Sequence, residues 1–91
     1  MSDHDATLRE LYERLAATAE LPVERDASRW IGEAEAVAAD LAGSDLPPGT
    51  VAERVGHVQD LLAEVEGTGH PEADEHVERA RALADAILPD G

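Results

Sequence analysis

Apolar side chains recur at helical spacing between Thr50 and Gly67. They follow alternating steps of four and three residues, at Val51, Val55, Val58, Leu62 and Val65. This spacing places them on one face of an α-helix that packs against other helices along its whole length. Thr50 and Glu53 fit a capping box, and Gly67 suits the left-handed conformation that closes many helices. The pattern therefore predicts a helix from Thr50 to Gly67.

Two further helices are predicted before this one. Residues 1–20 carry apolar side chains at helical spacing, with candidate caps that include Asp5 and a capping box of Thr7 and Glu10. The pattern breaks at Pro22, because proline cannot continue a helix without losing a backbone hydrogen bond. Pro22 suits the first position of a second helix, which extends to about Ala42.

The remaining segments predict one loop and a fourth helix. Ser44–Gly49, with the sequence SDLPPG, is predicted as the loop between the second and third helices, because the Pro47-Pro48 pair disfavours helix. Pro71 is well placed as the first residue of a fourth helix, which ends before Pro89.

Four amphipathic helices with short connections predict an all-α fold, an antiparallel up-down helical bundle of four helices. Residues 1–91 form a single domain in this prediction. The alternative is a three-helix arrangement, in which the first helix is kinked into the second at Pro22 or packs on a partner subunit.

The composition predicts a thin core. The 91 residues include 17 alanines, one tryptophan, one tyrosine and no phenylalanine. Small side chains suit closely packed helices but bury little apolar area in so short a chain. A homodimer that buries more Leu, Val and Trp surface is therefore an open alternative to a monomer.

The charge balance is strongly acidic. Asp and Glu total 21 against seven basic residues, all of them Arg, for a net charge of −14. Many carboxylates, no lysine and abundant alanine and valine resemble the composition of small acidic helical proteins of haloarchaea. That resemblance covers the whole length and implies a habitat at molar potassium chloride, but no reaction. At such salt the Debye length is roughly 3 Å, so repulsion between carboxylates is screened. We expect stability to rise steeply with potassium chloride.

Several classes of function are disfavoured by the same composition. The chain has no cysteine, which excludes disulfides and thiolate metal sites. No apolar run approaches the length of a membrane span, and the acidic N-terminus is unlike a signal peptide. Direct binding to nucleic acid or to an anionic membrane would need a positive patch, which the interleaved arginines do not form. We expect a cytoplasmic protein without a cofactor.

Two histidines are the candidates for a metal site. His57 and His76 each follow a glutamate by four residues, Glu53 and Glu72, and such carboxylate–imidazole pairs on neighbouring helices are typical metal donors. However, antiparallel third and fourth helices would hold the two pairs at opposite ends, and di-iron bundles use the spacing Glu-x-x-His. Our interpretation is that these histidines are solvated or cap helices. Binding of a metal or small ligand at His57 or His76 is the alternative function.

No catalytic constellation is visible. The serines lack an elbow motif and the glycines form no phosphate-binding loop. The only aromatic residues, Tyr12 and Trp30, anchor the core in the simpler interpretation, and one of them lies in a partner-binding patch in the other. The leading hypothesis is a non-enzymatic helical protein–protein interaction module or accessory subunit that binds a protein partner or a second copy. An acidic mimic of nucleic acid ranks last.

Overall fold

The structure is a computed structural model that describes residues 5–43 and 45–88. These residues form four helices and no strand: α1 (Asp5–Ala19), α2 (Arg25–Gly43), α3 (Pro48–Ala63) and α4 (Pro71–Ile87). The all-α prediction is therefore confirmed. Residues 1–4 of the predicted first helix, Ser44 of the predicted loop and the predicted stop at Pro89 lie outside the described residues.

The four helices form a closed ring. Each helix packs against the next one along the chain, and α1 also packs against α4. Glu10 contacts Arg79 and Arg14 contacts His76, so residue numbers rise along α1 as they fall along α4. These two helices are therefore antiparallel, as an up-down bundle of four requires. The three-helix alternative is wrong, because α1 and α2 are separate helices and both pack in the ring.

The core lies along the axis of this ring. Its fully buried large side chains come from α1, α2 and α3 and include Leu11, Leu15, Ile31, Val55, Val58 and Leu62. The predicted apolar face of α3 is confirmed, since Val65 is also buried and Val51 is half-buried against the core. Between the large side chains lie buried alanines of α2 and α4, which let the helix backbones approach closely.

The ends of α3 differ from the prediction. The helix begins at Pro48, so Thr50 lies inside the first turn, and no side chain caps the start. Because the helix begins two residues earlier than predicted, Thr50 is its third residue and does not occupy the N-cap position that a capping box requires. The helix ends at Ala63 rather than near Gly67, and Glu64 is the C-cap. The predicted roles of Thr50 and Gly67 were therefore wrong.

The start of α2 was also predicted wrongly. Pro22 is not its first residue, because the helix begins at Arg25. The backbone N–H of Glu24 donates to the carbonyl of Thr68 at 2.8 Å, and the N–H of Ser28 donates to the carbonyl of Glu24 at 2.8 Å. The contact with Thr68 thus holds Glu24 just outside the helix, in the position of an N-cap.

Candidate functional site

A cluster of charged side chains crosses the seam between α1 and α4. Arg79 Nε donates to Glu10 Oε2 at 3.1 Å. The same carboxylate oxygen lies 3.7 Å from Arg14 Nη2, one helical turn further along α1. Arg14 Nη1 also lies 3.3 Å from His76 Nδ1. Glu10 and Arg14 therefore connect α1 to two successive turns of α4.

The contact with Arg14 fixes which nitrogen of His76 carries the proton. A guanidinium group has donors and no acceptor, so Nδ1 must accept, and the ring proton of the neutral form sits on Nε2. Nε2 faces the carboxylate of Glu72 at 3.9 Å. His76 is half-buried between an arginine on one side and a glutamate on the other. This arrangement orients the imidazole.

Two open grooves run along the outer side of α1. The larger groove, between α1 and α4, has a volume of about 840 Å³, and its lining includes Ala6, Ala17 and His76. The smaller groove, between α1 and the end of α2, has a volume of about 420 Å³, and Tyr12 and Ala39 contribute to its lining.

A ridge of α1 separates the two grooves. Arg9 and Glu13 line both grooves, so their side chains form the crest between them. We call Ala6, Arg9, Glu13 and Ala17 the α1 ridge. The first three are exposed and Ala17 is half-buried.

The two aromatic candidates lie in different surroundings. Tyr12 is half-buried, packs against the core and lines the smaller groove. Trp30 is also half-buried against the core, and the guanidinium carbon of Arg29 lies 5.1 Å from the centre of its ring. Both residues therefore combine a core contact with an accessible edge, and only Tyr12 lies beside the α1 ridge.

The structure does not bring the two candidate metal pairs together. Arg81 of α4 contacts the carbonyl groups of Leu62 and Val65, which sets the register of antiparallel α3 and α4. His76 lies five residues before Arg81, and His57 lies five residues before Leu62 on the opposing helix. At 1.5 Å per residue the two histidines are roughly 15 Å apart along the bundle.

Each candidate pair therefore stands apart from the other. His57 and Glu53 are exposed on α3. Among the described residues, no three His, Cys, Asp or Glu side chains are grouped so as to hold a metal ion. The pair of Glu72 and His76 supplies two donors, and a metal site there stays a prediction.

A second polar cluster closes the turn between α3 and α4. Thr68 is fully buried, and its backbone N–H donates to Asp74 Oδ1 at 2.9 Å. Its Oγ1 lies 2.8 Å from Asp74 Oδ1 and 2.9 Å from the carbonyl of His70, and it accepts the N–H of His70 at 3.1 Å. We call Thr68, His70 and Asp74 the turn cluster. Its hydrogen bonds join residues of the same chain, so the cluster stabilises the turn between α3 and α4.

Hydrogen bonds to Thr68 lower the pKa of Asp74. The backbone N–H of Thr68 has the largest effect and its side chain the next, and together they hold the carboxyl below its ordinary value of 3.8. Positive charge at His70 acts in the same direction. The ring nitrogen Nδ1 of His70 is buried without a partner among the described residues.

The contacts that depend on helix register were not predicted from the sequence. Arg14 was not singled out, although it joins Glu10 to His76. Thr68 was also missed, although a threonine followed two residues later by His-Pro at a helix start is a signal for a side-chain turn. The seam contacts join residues more than sixty positions apart, so no local pattern announces them.

Within the described ranges, no helix combines the length and the apolar character that a membrane crossing requires. A family model, the domain of unknown function DUF8152, matches residues 7–91. No curated protein and no solved structure matches the chain. The family match covers nearly the whole chain, so this protein belongs to the DUF8152 family.

Proposed function

We propose that this member of the DUF8152 family is a non-enzymatic protein interaction module, an accessory subunit that works at high salt. It binds its partner through the outer side of α1. The observation that carries this proposal is the α1 ridge with an open groove on each side. Helices pack by placing the ridge of one into the groove of another. The outer side of α1 has a ridge with a groove next to it, as such packing requires.

The lining of the two grooves supports a protein partner. Small residues let a second helix backbone come close. They lie where the α1 ridge borders the larger groove, at Ala6 and Ala17, and in the smaller groove, at Ala39, Ala42 and Gly43. Tyr12 contributes a half-buried ring to the smaller groove. Tyrosine is enriched at protein interfaces, because one ring combines apolar area with a polar tip.

Adaptation to high salt is the second part of the proposal. The net charge of −14 would oppose folding and association in dilute buffer and would be screened at molar potassium chloride. The same composition supports a haloarchaeal source, and a cytoplasmic location is part of this proposal. A thermal melt followed by circular dichroism should shift upward steeply between dilute buffer and molar potassium chloride. An unchanged melt would contradict this part of the proposal.

The binding surface can be tested by affinity capture in molar potassium chloride. The tagged protein is incubated with a haloarchaeal lysate, and bound proteins are identified by mass spectrometry. The variant Ala6→Glu places a charged side chain on the α1 ridge. The matched control Ala36→Glu makes the same change at an exposed alanine of α2 that lines neither groove.

The proposal expects one reproducible partner that Ala6→Glu loses and Ala36→Glu keeps. Circular dichroism of both variants should show the helical content of the original protein. Capture of nothing, or a partner that both variants retain equally, would contradict binding through the α1 ridge.

Binding of a metal ion or a small ligand at His76, in the larger groove, is the second candidate. It is favoured by one observation, that His76 is half-buried and lines the wall of this groove with Nε2 near Glu72. Titration with Zn²⁺, followed by the ring nitrogen signals of the histidines, tests it directly. A saturable shift at His76 that His76→Gln abolishes would support this candidate, and signals that do not saturate would contradict it.

A further inference from the structure

We infer that the partner seated on the α1 ridge is a second copy of this chain, related to the first by a two-fold axis that passes beside α1, perpendicular to it, at the level of Leu11. This inference rests on the proposed function and names its partner. In the resulting dimer the two α1 helices run antiparallel, and each ridge lies in a groove of the other subunit.

The first argument is the order of side chains along the ridge. Ala6, Arg9, Glu13 and Ala17 follow one another as small, positive, negative and small, at steps that keep them on one side of the helix. A two-fold axis reverses this order in the second copy. The midpoint of Arg9 and Glu13 is Leu11, and the midpoint of Ala6 and Ala17 lies between Leu11 and Tyr12. One axis therefore pairs positive with negative and small with small.

The second argument is charge complementarity. Arg9 and Glu13 are four residues apart, roughly 6 Å along the helix, and both are exposed. In the antiparallel dimer Arg9 faces Glu13 of the partner subunit, and the symmetry repeats this contact. A parallel arrangement would instead bring like charges together.

The third argument is that these two side chains are available. The other acidic and basic groups of the seam, Glu10, Arg14 and Arg79, pair within the chain. Within the part of the chain that the structure describes, no ion pair involves Arg9 or Glu13. They line the two grooves into which the ridge of a second copy would fit.

Association of two copies also brings two net charges of −14 together. Long-range repulsion between them is screened at molar salt, where the Debye length is roughly 3 Å. Charges in direct contact at an interface are screened much less. Dimerisation should therefore need high salt, and the choice of register should still depend on Arg9 and Glu13.

Charge exchange at the ridge tests the inference. Sedimentation velocity in molar potassium chloride, over a range of protein concentrations, should show a dimer for the original protein. Arg9→Glu makes both ridge charges negative and Glu13→Arg makes both positive, so each single variant should associate at least about tenfold more weakly. The double variant R9E/E13R exchanges the charges and should recover the dimer.

Mixing the two single variants gives the sharpest result. A ridge with two negative charges faces a ridge with two positive charges, so two variants that are monomeric alone should form a mixed dimer. A folding defect in either variant cannot produce this outcome. The matched controls Arg29→Glu and Glu33→Arg make the same changes at exposed positions of α2 with the same spacing, outside both grooves, and should leave the dimer unchanged.

A protein that sediments as a monomer at all concentrations would overturn the inference. So would single variants that still dimerise, or a mixture that stays monomeric. None of these results removes the proposed interaction module. That proposal fails separately, if Ala6→Glu captures the same proteins as Ala36→Glu.

Discussion

The turn between α3 and α4 and the outer side of α1 use polar residues in opposite ways. In the turn cluster, Thr68 is fully buried and its polar groups bond to Asp74, His70 and Glu24. On the α1 ridge, Arg9 and Glu13 are exposed and form no ion pair with another described residue. Polar groups that bond within the chain hold the fold together. Exposed groups of opposite sign on a ridge are available to a partner.

The largest expected effect is at Thr68. The substitution Thr68→Val keeps the volume but removes the hydroxyl, which leaves the N–H of His70 without its acceptor in a buried turn. We expect a loss of about 1–3 kcal/mol in the free energy of unfolding, measured by urea denaturation at high salt.

A second buried threonine gives the control for this prediction. Thr18 is also fully buried, but its hydroxyl bonds to the carbonyl of Arg14, one turn earlier in the same helix. Such a bond adds little to helix stability, so Thr18→Val should change the free energy of unfolding by less than about 1 kcal/mol. Equal losses of unfolding free energy at the two positions would show that the hydroxyl of Thr68 stabilises the fold no more than a hydroxyl that bonds within its own helix.

The next effect is at Gly69, whose φ is +79°. A Cβ at this position would lie 3.2 Å from Glu24 Cγ. Because the left-handed conformation also disfavours any other residue, Gly69→Ala should cost about 1–2 kcal/mol in urea denaturation. Gly32 lies inside α2 with open space around it, so Gly32→Ala should instead stabilise by about 0.5–1 kcal/mol. A stabilising Gly69→Ala would contradict the strained turn.

Arg81 makes a smaller contribution to the stability of the fold. Its Nη2 donates to the carbonyl group of Leu62 at 2.7 Å, in the last turn of α3, and to that of Val65 at 2.9 Å, just beyond the helix. Arg81→Met keeps the aliphatic stem and should cost about 1 kcal/mol in the same urea experiment. Arg79→Met removes only an exposed pair with Glu10 and should cost less than about 0.5 kcal/mol. Equal losses would mean that the carbonyl contacts add nothing.

The helices could be predicted from the sequence and their ends could not. The spacing of Val51, Val55 and Val58 depends only on the geometry of one helix, which a local pattern records. The ends depend on competition between local signals and distant contacts. Thr50 with Glu53 is a good capping signal, but the helix begins earlier, at Pro48. At the other end of the same helix, Arg81 of α4 donates to the carbonyl group of Leu62.

Less of the candidate site than of the fold could be predicted from the sequence. Tyr12 was singled out because aromatic residues are rare in this chain, and it does line a groove. The α1 ridge was not singled out, because Arg9 and Glu13 look like an ordinary exposed pair within one helix. Their significance comes from the grooves on either side, and these exist only after α1 packs between α2 and α4.

Acid should weaken the turn cluster. The folded protein holds the pKa of Asp74 below 3.8, chiefly through the backbone N–H of Thr68. A lowered pKa stabilises the fold above the pKa of the unfolded chain, and this contribution is lost as the pH falls through the lower folded value. Stability should therefore fall as the pH drops below 3.8, and Asp74→Asn should make this fall shallower. Asp60→Asn, at an exposed acid of α3, is the control and should leave the slope unchanged.

The smallest effect on the folded monomer is expected at the α1 ridge. Arg9 and Glu13 are exposed, so Arg9→Ala and Glu13→Ala should change the free energy of unfolding of the monomer by less than about 0.5 kcal/mol. The dimer adds a dependence on protein concentration, because association stabilises the folded state by mass action. The melting temperature of the original protein in molar potassium chloride should rise with concentration, and that of Arg9→Ala should stay constant. A surface that serves only a partner has no effect on the stability of an isolated chain. If the free energy of unfolding of Arg9→Ala were instead lower by more than about 1 kcal/mol at every protein concentration, the ridge would stabilise the fold in the same way as the turn cluster.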